Sequence, residues 1–73
     1  MRVSDRGAFV RVYVSRQEVR EFTDQWPGSN LPDRAVWFEF DKKNGDLVDM
    51  EPSDMDGEDA AALSQDAQEY AGL

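Results

Sequence analysis

The sequence predicts a two-layer α+β domain with the element order β-α-β-β-α, a three-stranded antiparallel sheet and both helices on one face of that sheet. Three segments alternate apolar and polar residues with the period of a strand. Two further segments place their apolar residues on one side of a helix. With 73 residues there is room for one core only, so residues 1–73 are predicted to form a single acidic domain.

The first predicted strand is AFVRVYV, in which one side chain in two is a valine. Alternation of β-branched residues with a period of two is typical of a strand that is buried on one face. The valines would face the core, and the other face would carry an arginine between two aromatic rings. These outward residues are Phe9, Arg11 and Tyr13.

The first helix is predicted to begin at Arg16. Ser15 and Glu18 match a capping box, in which each side chain accepts a hydrogen bond from the backbone amide of the other residue. Pro27 and Gly28 are predicted to end the helix, because proline disfavours helical geometry in the residue before it. The apolar stripe of this helix consists of Val19, Phe22 and Trp26.

The second and third strands are AVWFEF and DLVDME, joined by KKNGD. The register in which these two strands pair decides the length of the turn between them. A two-residue Asn-Gly loop would set Phe40 opposite an acid, whereas a three-residue loop over 43–45 sets Phe40 opposite Val48. The same loop places its glycine in the left-handed region as part of a bulge. We therefore predict the three-residue loop.

The second helix is predicted from EDAAALSQDAQEYA, whose alanines favour helix formation. A crossover from the first strand to the second leaves room for the third strand between them, which predicts the spatial order 1-3-2. The predicted core consists of Val10, Val12, Val14, Val19, Phe22, Trp26, Val36, Phe38, Phe40, Val48, Met50, Leu63 and Tyr70.

The composition excludes several classes of chemistry. The chain contains no Cys and no His, so disulfides, thiolate metal sites and imidazole acid–base catalysis are excluded. No phosphate-binding glycine motif occurs, and we expect neither an enzyme nor a cofactor nor a metal site. No apolar run approaches the roughly 18 residues of a membrane span. The start of the chain lacks the apolar region of a signal peptide, so a cytoplasmic location is expected.

The charge is divided unevenly along the chain. Residues 1–45 contain seven acids and eight bases, whereas residues 46–73 contain nine acids and no base, which gives a net charge of −8. Alternate residues of a strand lie about 6.6–6.8 Å apart, close to the phosphate spacing of a nucleic acid. We expect this surface to bind the basic groove of a nucleic-acid-binding protein. The predicted partner-binding residues are Asp46, Asp49, Glu51, Asp54, Asp56, Glu58 and Asp59.

Other interpretations of the same residues remain open. The acids could simply keep a small protein in solution and complement a helix dipole. The segment DMDGED could form a Ca²⁺ loop, although its spacing does not match an EF-hand. The outward aromatic face of Phe9, Tyr13 and Trp37 could bind a protein or a second copy of the chain, as a homodimer. The net charge argues against direct binding to nucleic acid or to an anionic membrane.

The segment from Trp26 to Asp49, WPGSNLPDRAVWFEFDKKNGDLVD, resembles a segment of small uncharacterised proteins of bacteriophages and prophages. Those proteins carry a Trp-Pro-x-Ser-x-Leu loop, then Phe-x-Phe-Asp, then Asn-Gly-Asp-Leu-Val-Asp. The resemblance covers about a third of the chain and implies a phage origin. Small acidic phage proteins include inhibitors of host defence, among them anti-CRISPR proteins that resemble DNA in charge. By this analogy the partner would be a host nucleic-acid-binding complex in the host cytoplasm.

Overall fold

The computed structural model describes all 73 residues and contains four strands and two helices. The strands form one antiparallel sheet in the order β1-β2-β3-β4, and both helices contribute to a core on one face of it. The α+β class is therefore confirmed. The elements are β1 (Arg2–Arg6), β2 (Phe9–Val14), α1 (Arg16–Asp24), β3 (Val36–Asp41), β4 (Leu47–Glu51) and α2 (Gly57–Tyr70).

The predicted number of strands is wrong, because β1 adds a fourth strand at the start of the chain. The segment RVSDR has a single apolar residue, Val3, and so lacks the alternation that marks a buried strand. It forms a hairpin with β2, in which Arg6 pairs with Phe9 across a two-residue turn. Gly7 has a φ of 80° while Ala8 has a negative φ, as a type II′ hairpin turn requires.

The predicted strand order 1-3-2 is also wrong. All six residues of β2 pair with β3, from Phe9 opposite Asp41 to Val14 opposite Val36, and β4 lies outside β3 at the edge of the sheet. Because β2 and β3 are antiparallel, the handedness rule for crossovers between parallel strands does not apply to this connection. After β2 the chain passes through α1 and the following loop and then forms β3 directly beside β2.

The turn between β3 and β4 is one residue longer than predicted. Phe40 pairs with Leu47 instead of Val48, and the Asp41 amide donates a 2.8 Å hydrogen bond to the Asp46 carbonyl. Four residues, 42–45, therefore form the loop, and Gly45 has the expected positive φ of 77°. A bulge then absorbs the extra residue.

Beyond the bulge the predicted register returns. Glu39 lies opposite Asp49, and Phe38 lies opposite Met50, as the sequence predicted. A bulge places two residues of one strand opposite one residue of the other, so Leu47 and Val48 cannot both face the core. Leu47 shares the inner face with Phe40.

Most of the predicted core is buried. Of the two predicted core residues that are exposed, Val48 is 49% exposed because it lies in the bulge, and Tyr70 is 56% exposed at the end of α2. Phe22, Trp26 and Met50 are only partly buried, and the first two stack with ring centroids 5.6 Å apart. The buried hydrophobic residues are Val10, Val12, Val14, Val19, Val36, Phe38, Phe40, Met55, Ala60, Leu63 and Ala67.

The predicted capping box of α1 is confirmed. The Ser15 hydroxyl accepts a 3.2 Å hydrogen bond from the Glu18 amide, and the Glu18 carboxylate accepts a 3.0 Å hydrogen bond from the Ser15 amide. The same Glu18 carboxylate pairs with the ammonium group of Met1, which lowers its pKa. The capping residues thus also hold the start of the chain beside α1.

Candidate functional site

The outer face of the sheet, which no helix covers, changes from basic to acidic across its strands. Residues that pair across an antiparallel sheet share a face, so the register assigns the outer residues of each strand. The β1 and β2 side of this face carries three arginines, and the β4 side carries two carboxylates. In strand order the charged residues are Arg2 and Arg6, then Arg11, then Glu39 and Asp41, then Asp49 and Glu51.

Five of the eight bases of the chain pair with an acid in residues 1–45, and a sixth, Arg34, pairs with Glu51. Arg6 and Arg11 both approach the Glu39 carboxylate at 3.3 Å, and Lys42 lies 2.6 Å from the Asp5 carboxylate. These three pairs neutralise much of the positive charge that β1, β2 and the turn after β3 carry.

A second cluster joins α1 to the loop before β3. Arg16 and Arg20 each donate two hydrogen bonds to the Asp33 carboxylate, at 2.8–3.2 Å. The two guanidinium groups hold the pKa of Asp33 far below its usual range. Asp33 therefore stays ionised and does not add free negative charge to the surface.

Arginine side chains lie over two of the three rings of the predicted aromatic face. The Arg2 guanidinium lies 4.6 Å from the ring centroid of Tyr13, and that of Arg11 lies 3.8 Å from the ring centroid of Trp37. Such contacts are cation–π interactions. Phe9 remains exposed, whereas Tyr13 and Trp37 are partly buried. The three rings do not form a bare apolar patch.

Six of the nine acidic residues of the C-terminal part lie on β4, the edge strand of the sheet, or on the segments that flank it. They run from the turn before β4, along β4 itself, through the following loop to the first turn of α2. All are exposed. We call this set the acidic edge: Asp46, Asp49, Glu51, Asp54, Asp56 and Glu58.

Only one member of the acidic edge has a basic partner. The Glu51 carboxylate lies 2.9 Å from the Arg34 guanidinium, and both side chains are about half exposed. An ion pair that faces water in this way contributes little to stability. Asp56 is the N-cap residue of α2, but its side chain makes no capping hydrogen bond. Five carboxylates of the acidic edge thus have no ionic partner within the chain.

Asp59, the seventh predicted partner-binding residue, does not lie on this surface. Its side chain is buried, with 7% exposure, and its carboxylate accepts hydrogen bonds from the Ser29 hydroxyl at 2.9 Å and the Asn30 amide at 2.8 Å. These hydrogen bonds lower the pKa of Asp59, the Asn30 amide most of all. Asp59 therefore connects α2 to the loop after α1 and is not accessible to a partner. Sequence reasoning missed this role, and the only local signal was the Ser29-Asn30 pair in a polar loop.

The segment DMDGED does not gather its acids around one point. Asp59 turns inward to Asn30, while Asp54 and Asp56 face solvent beside Pro32 of the loop between α1 and β3 and Pro52 of the loop between β4 and α2. No three acidic side chains of the chain approach one another closely enough to hold a metal ion. The structure thus gives no geometric support to the Ca²⁺ loop.

Comparisons with known proteins gave no relatives from which a function could be transferred. No protein-family model matches the chain, and neither the curated proteins nor the solved structures include a match.

Neither helix has the length and apolar character that crossing a membrane would require.

Proposed function

We propose that this chain is a non-enzymatic binding protein whose acidic edge occupies the basic groove of a nucleic-acid-binding protein complex. The observation that supports this proposal is the set of exposed carboxylates without a basic partner between the turn before β4 and the first turn of α2. They are Asp46, Asp49, Asp54, Asp56 and Glu58.

The distribution of ion pairs gives the physical reason. Five of the eight bases pair with acids of the N-terminal part, and only Arg34 pairs with the acidic edge, so most of the positive charge does not neutralise that edge. A surface of one sign attracts a partner of the opposite sign over a distance of about a Debye length, roughly 8 Å at physiological salt. It also raises the rate of association with that partner. A basic groove that normally binds DNA or RNA has such a field and releases bound anions when an acidic surface enters it.

The partner class follows from the resemblance of residues 26–49 to small phage proteins. A phage protein that carries a nucleic-acid-like charge would gain most by blocking a host complex that must bind nucleic acid to act. A CRISPR effector complex is the example that we propose to test first. Inhibition would then be competition for the groove, without any chemical change to the partner.

A displacement assay tests this proposal. Purified CRISPR effector complexes and other bacterial DNA-binding proteins are loaded with labelled duplex DNA, and the chain is added at increasing salt. We expect DNA to be displaced from at least one complex, with an affinity that falls as salt rises. Failure to displace DNA from any of them at low salt would contradict the proposal.

Two double variants with the same charge change locate the surface. Asp54→Lys with Asp56→Lys reverses two charges of the acidic edge, whereas Asp66→Lys with Glu69→Lys reverses two exposed acids farther along α2, next to Glu18. We expect the first pair to abolish displacement and the second pair to retain most of it. Equal loss in both would mean that only net charge matters.

The alternative function, self-association through Phe9, Tyr13 and Trp37, has less support. Arginines already lie over two of the three rings, so association through this face would first have to displace them. A second copy would also bring another net charge of −8 to the contact.

A further inference from the structure

The strand β4 leaves one side of its backbone open. It is the last strand of the sheet, and β3 is its only neighbouring strand. The open edge of a strand presents amide and carbonyl groups that can pair with another extended chain. Many protein domains bind extended peptides by adding them to such an edge.

An apolar groove lies beside this edge, between β4 and α2. It has a volume of about 230 Å³. Leu47 is 43% exposed at its rim, and Val48 is 49% exposed at the adjacent bulge. These side chains are unusual on a surface that is otherwise acidic. The apolar lining consists of Leu47, Met50, Met55, Ala60 and Ala61.

The carboxylates around the groove restrict what can bind there. Asp46 and Asp49 flank the exposed apolar residues of β4, and Asp56 lines the groove itself. An acidic segment would be repelled, and a second β4 would bring acid against acid. A segment that fits the open strand edge, the apolar groove and the surrounding carboxylates is extended and basic, with an apolar side chain at every second position.

We infer that β4 accepts an extended basic segment of a partner protein, which adds to the sheet as a fifth strand and inserts an apolar side chain into the groove beside Leu47. This inference rests on the proposed function and identifies the part of the basic partner that makes the contact. Backbone pairing would supply the geometry, the groove would select the apolar anchor, and the acidic edge would attract the basic side chains.

Short synthetic peptides test the inference without a known partner. The first probe is a fluorescent peptide of about six residues, a usual strand length, with alternating lysine and valine. The second replaces each valine by glycine and keeps the charge. The third keeps both residue types but carries N-methyl groups on alternate amides, which prevents strand pairing. Binding is measured by fluorescence anisotropy at low salt, and the amides that shift are identified by NMR.

We expect the lysine–valine peptide to bind at least about tenfold more tightly than either control peptide, and to shift the amides of β4. Leu47→Asp should weaken its binding about tenfold or more. This variant adds a negative charge, so a purely electrostatic contact would become stronger instead. Val3→Asp, at the opposite edge strand and 42% exposed, is the matched control and should have no such effect. If Leu47→Asp fails to fold by circular dichroism, Leu47→Ser replaces it.

Five outcomes would overturn the inference. Equal binding of the valine and glycine peptides would mean that charge alone attracts them, which leaves the proposed function intact. Equal binding of the N-methylated peptide, or equal loss in Val3→Asp, would exclude addition to β4. Absence of peptide binding at low salt would also refute the inference. The proposed function would still be tested separately by the DNA displacement assay. Self-association of the wild type that Leu47→Asp abolishes would identify a second copy as the occupant.

Discussion

The buried carboxylate of Asp59 accepts a 2.8 Å hydrogen bond from the backbone amide of Asn30, which lies 29 positions earlier in the chain. The hydroxyl of Ser29 donates to the same oxygen at 2.9 Å and also accepts a hydrogen bond from the Leu31 amide at 3.2 Å. One acidic side chain therefore organises the loop between α1 and β3 and fixes it to the start of α2. This contact gives Asp59 a structural role, unlike the accessible acids that precede it in the chain.

Substitution of Asp59 should destabilise the fold, unlike substitution of its acidic neighbours. Asp59→Ala leaves the Asn30 amide and the Ser29 hydroxyl without their partner, and because these donors are not fully buried the loss should cost about 1 kcal/mol. Asp54→Ala, which removes an exposed carboxylate, should change the free energy of unfolding by no more than about 0.5 kcal/mol. Urea denaturation at neutral pH measures both. Equal effects would show that the Asp59 hydrogen bonds contribute nothing.

The contribution of Asp59 should also depend on pH. Its pKa is lowered in the folded protein, from a reference value of 3.8, so its contribution is complete above that value. It is lost as the pH falls through the lower pKa of the folded state. The stability difference between wild type and Asp59→Asn should therefore shrink as the pH falls below the reference pKa. Denaturant melts at a series of acidic pH values test this, and a constant difference would contradict it.

Gly45 should tolerate alanine less well than Gly28, although both have nearly the same backbone conformation. Their φ values are 77° and 78°, so each alanine variant meets the same cost of a left-handed residue, about 1 kcal/mol. A Cβ on Gly45 would also lie 3.2 Å from Nε2 of Gln68, whereas a Cβ on Gly28 has no neighbour within 4 Å. Gln68 donates a hydrogen bond to the Gly45 carbonyl that this contact would disturb.

Thermal melts of Gly45→Ala and Gly28→Ala measure that difference. The Gly45 variant should melt at the lower temperature. Equal melting temperatures would show that α2 yields to the added methyl group without loss of stability.

A pair of valine variants tests the bulge in β4. Val36 is 2% exposed, so Val36→Ala should cost about 2 kcal/mol for the lost apolar contacts and the cavity. Val48 lies in the bulge at 49% exposure, so Val48→Ala should cost no more than about 0.5 kcal/mol. The free energies of unfolding from urea denaturation give both values. A large loss of stability for Val48→Ala would instead support the register in which Val48 lies opposite Phe40.

The arginines over the aromatic rings should keep the protein monomeric. Arg2→Ala with Arg11→Ala would uncover Tyr13 and Trp37, and an exposed aromatic patch favours self-association. We expect light scattering to show a wild-type monomer and a larger species for the double variant. A wild-type dimer that Trp37→Ala dissociates would instead support the alternative function, self-association through the aromatic face.

The sequence by itself determined the features that depend on neighbouring residues. The capping box of Ser15 and Glu18, the valine face of β2 and the left-handed Gly45 all follow from rules that act within one turn or along one strand. The acidic character of the C-terminal part also follows from composition, because no base is present there to neutralise it.

Only the tertiary structure decided what depends on residues far apart in the chain. β1 is held by pairing with β2 at an edge, where one apolar residue, Val3, is enough, and so its segment carries no strong pattern. The strand order depends on the fact that β2 pairs with β3 along its whole length. The bulge arises because Leu47 and Val48 compete for one inward position. Asp59 looks like its acidic neighbours in the sequence, and only its distant contacts show that it is buried. Periodicity describes which face of an element is apolar, but it does not identify the element that covers that face.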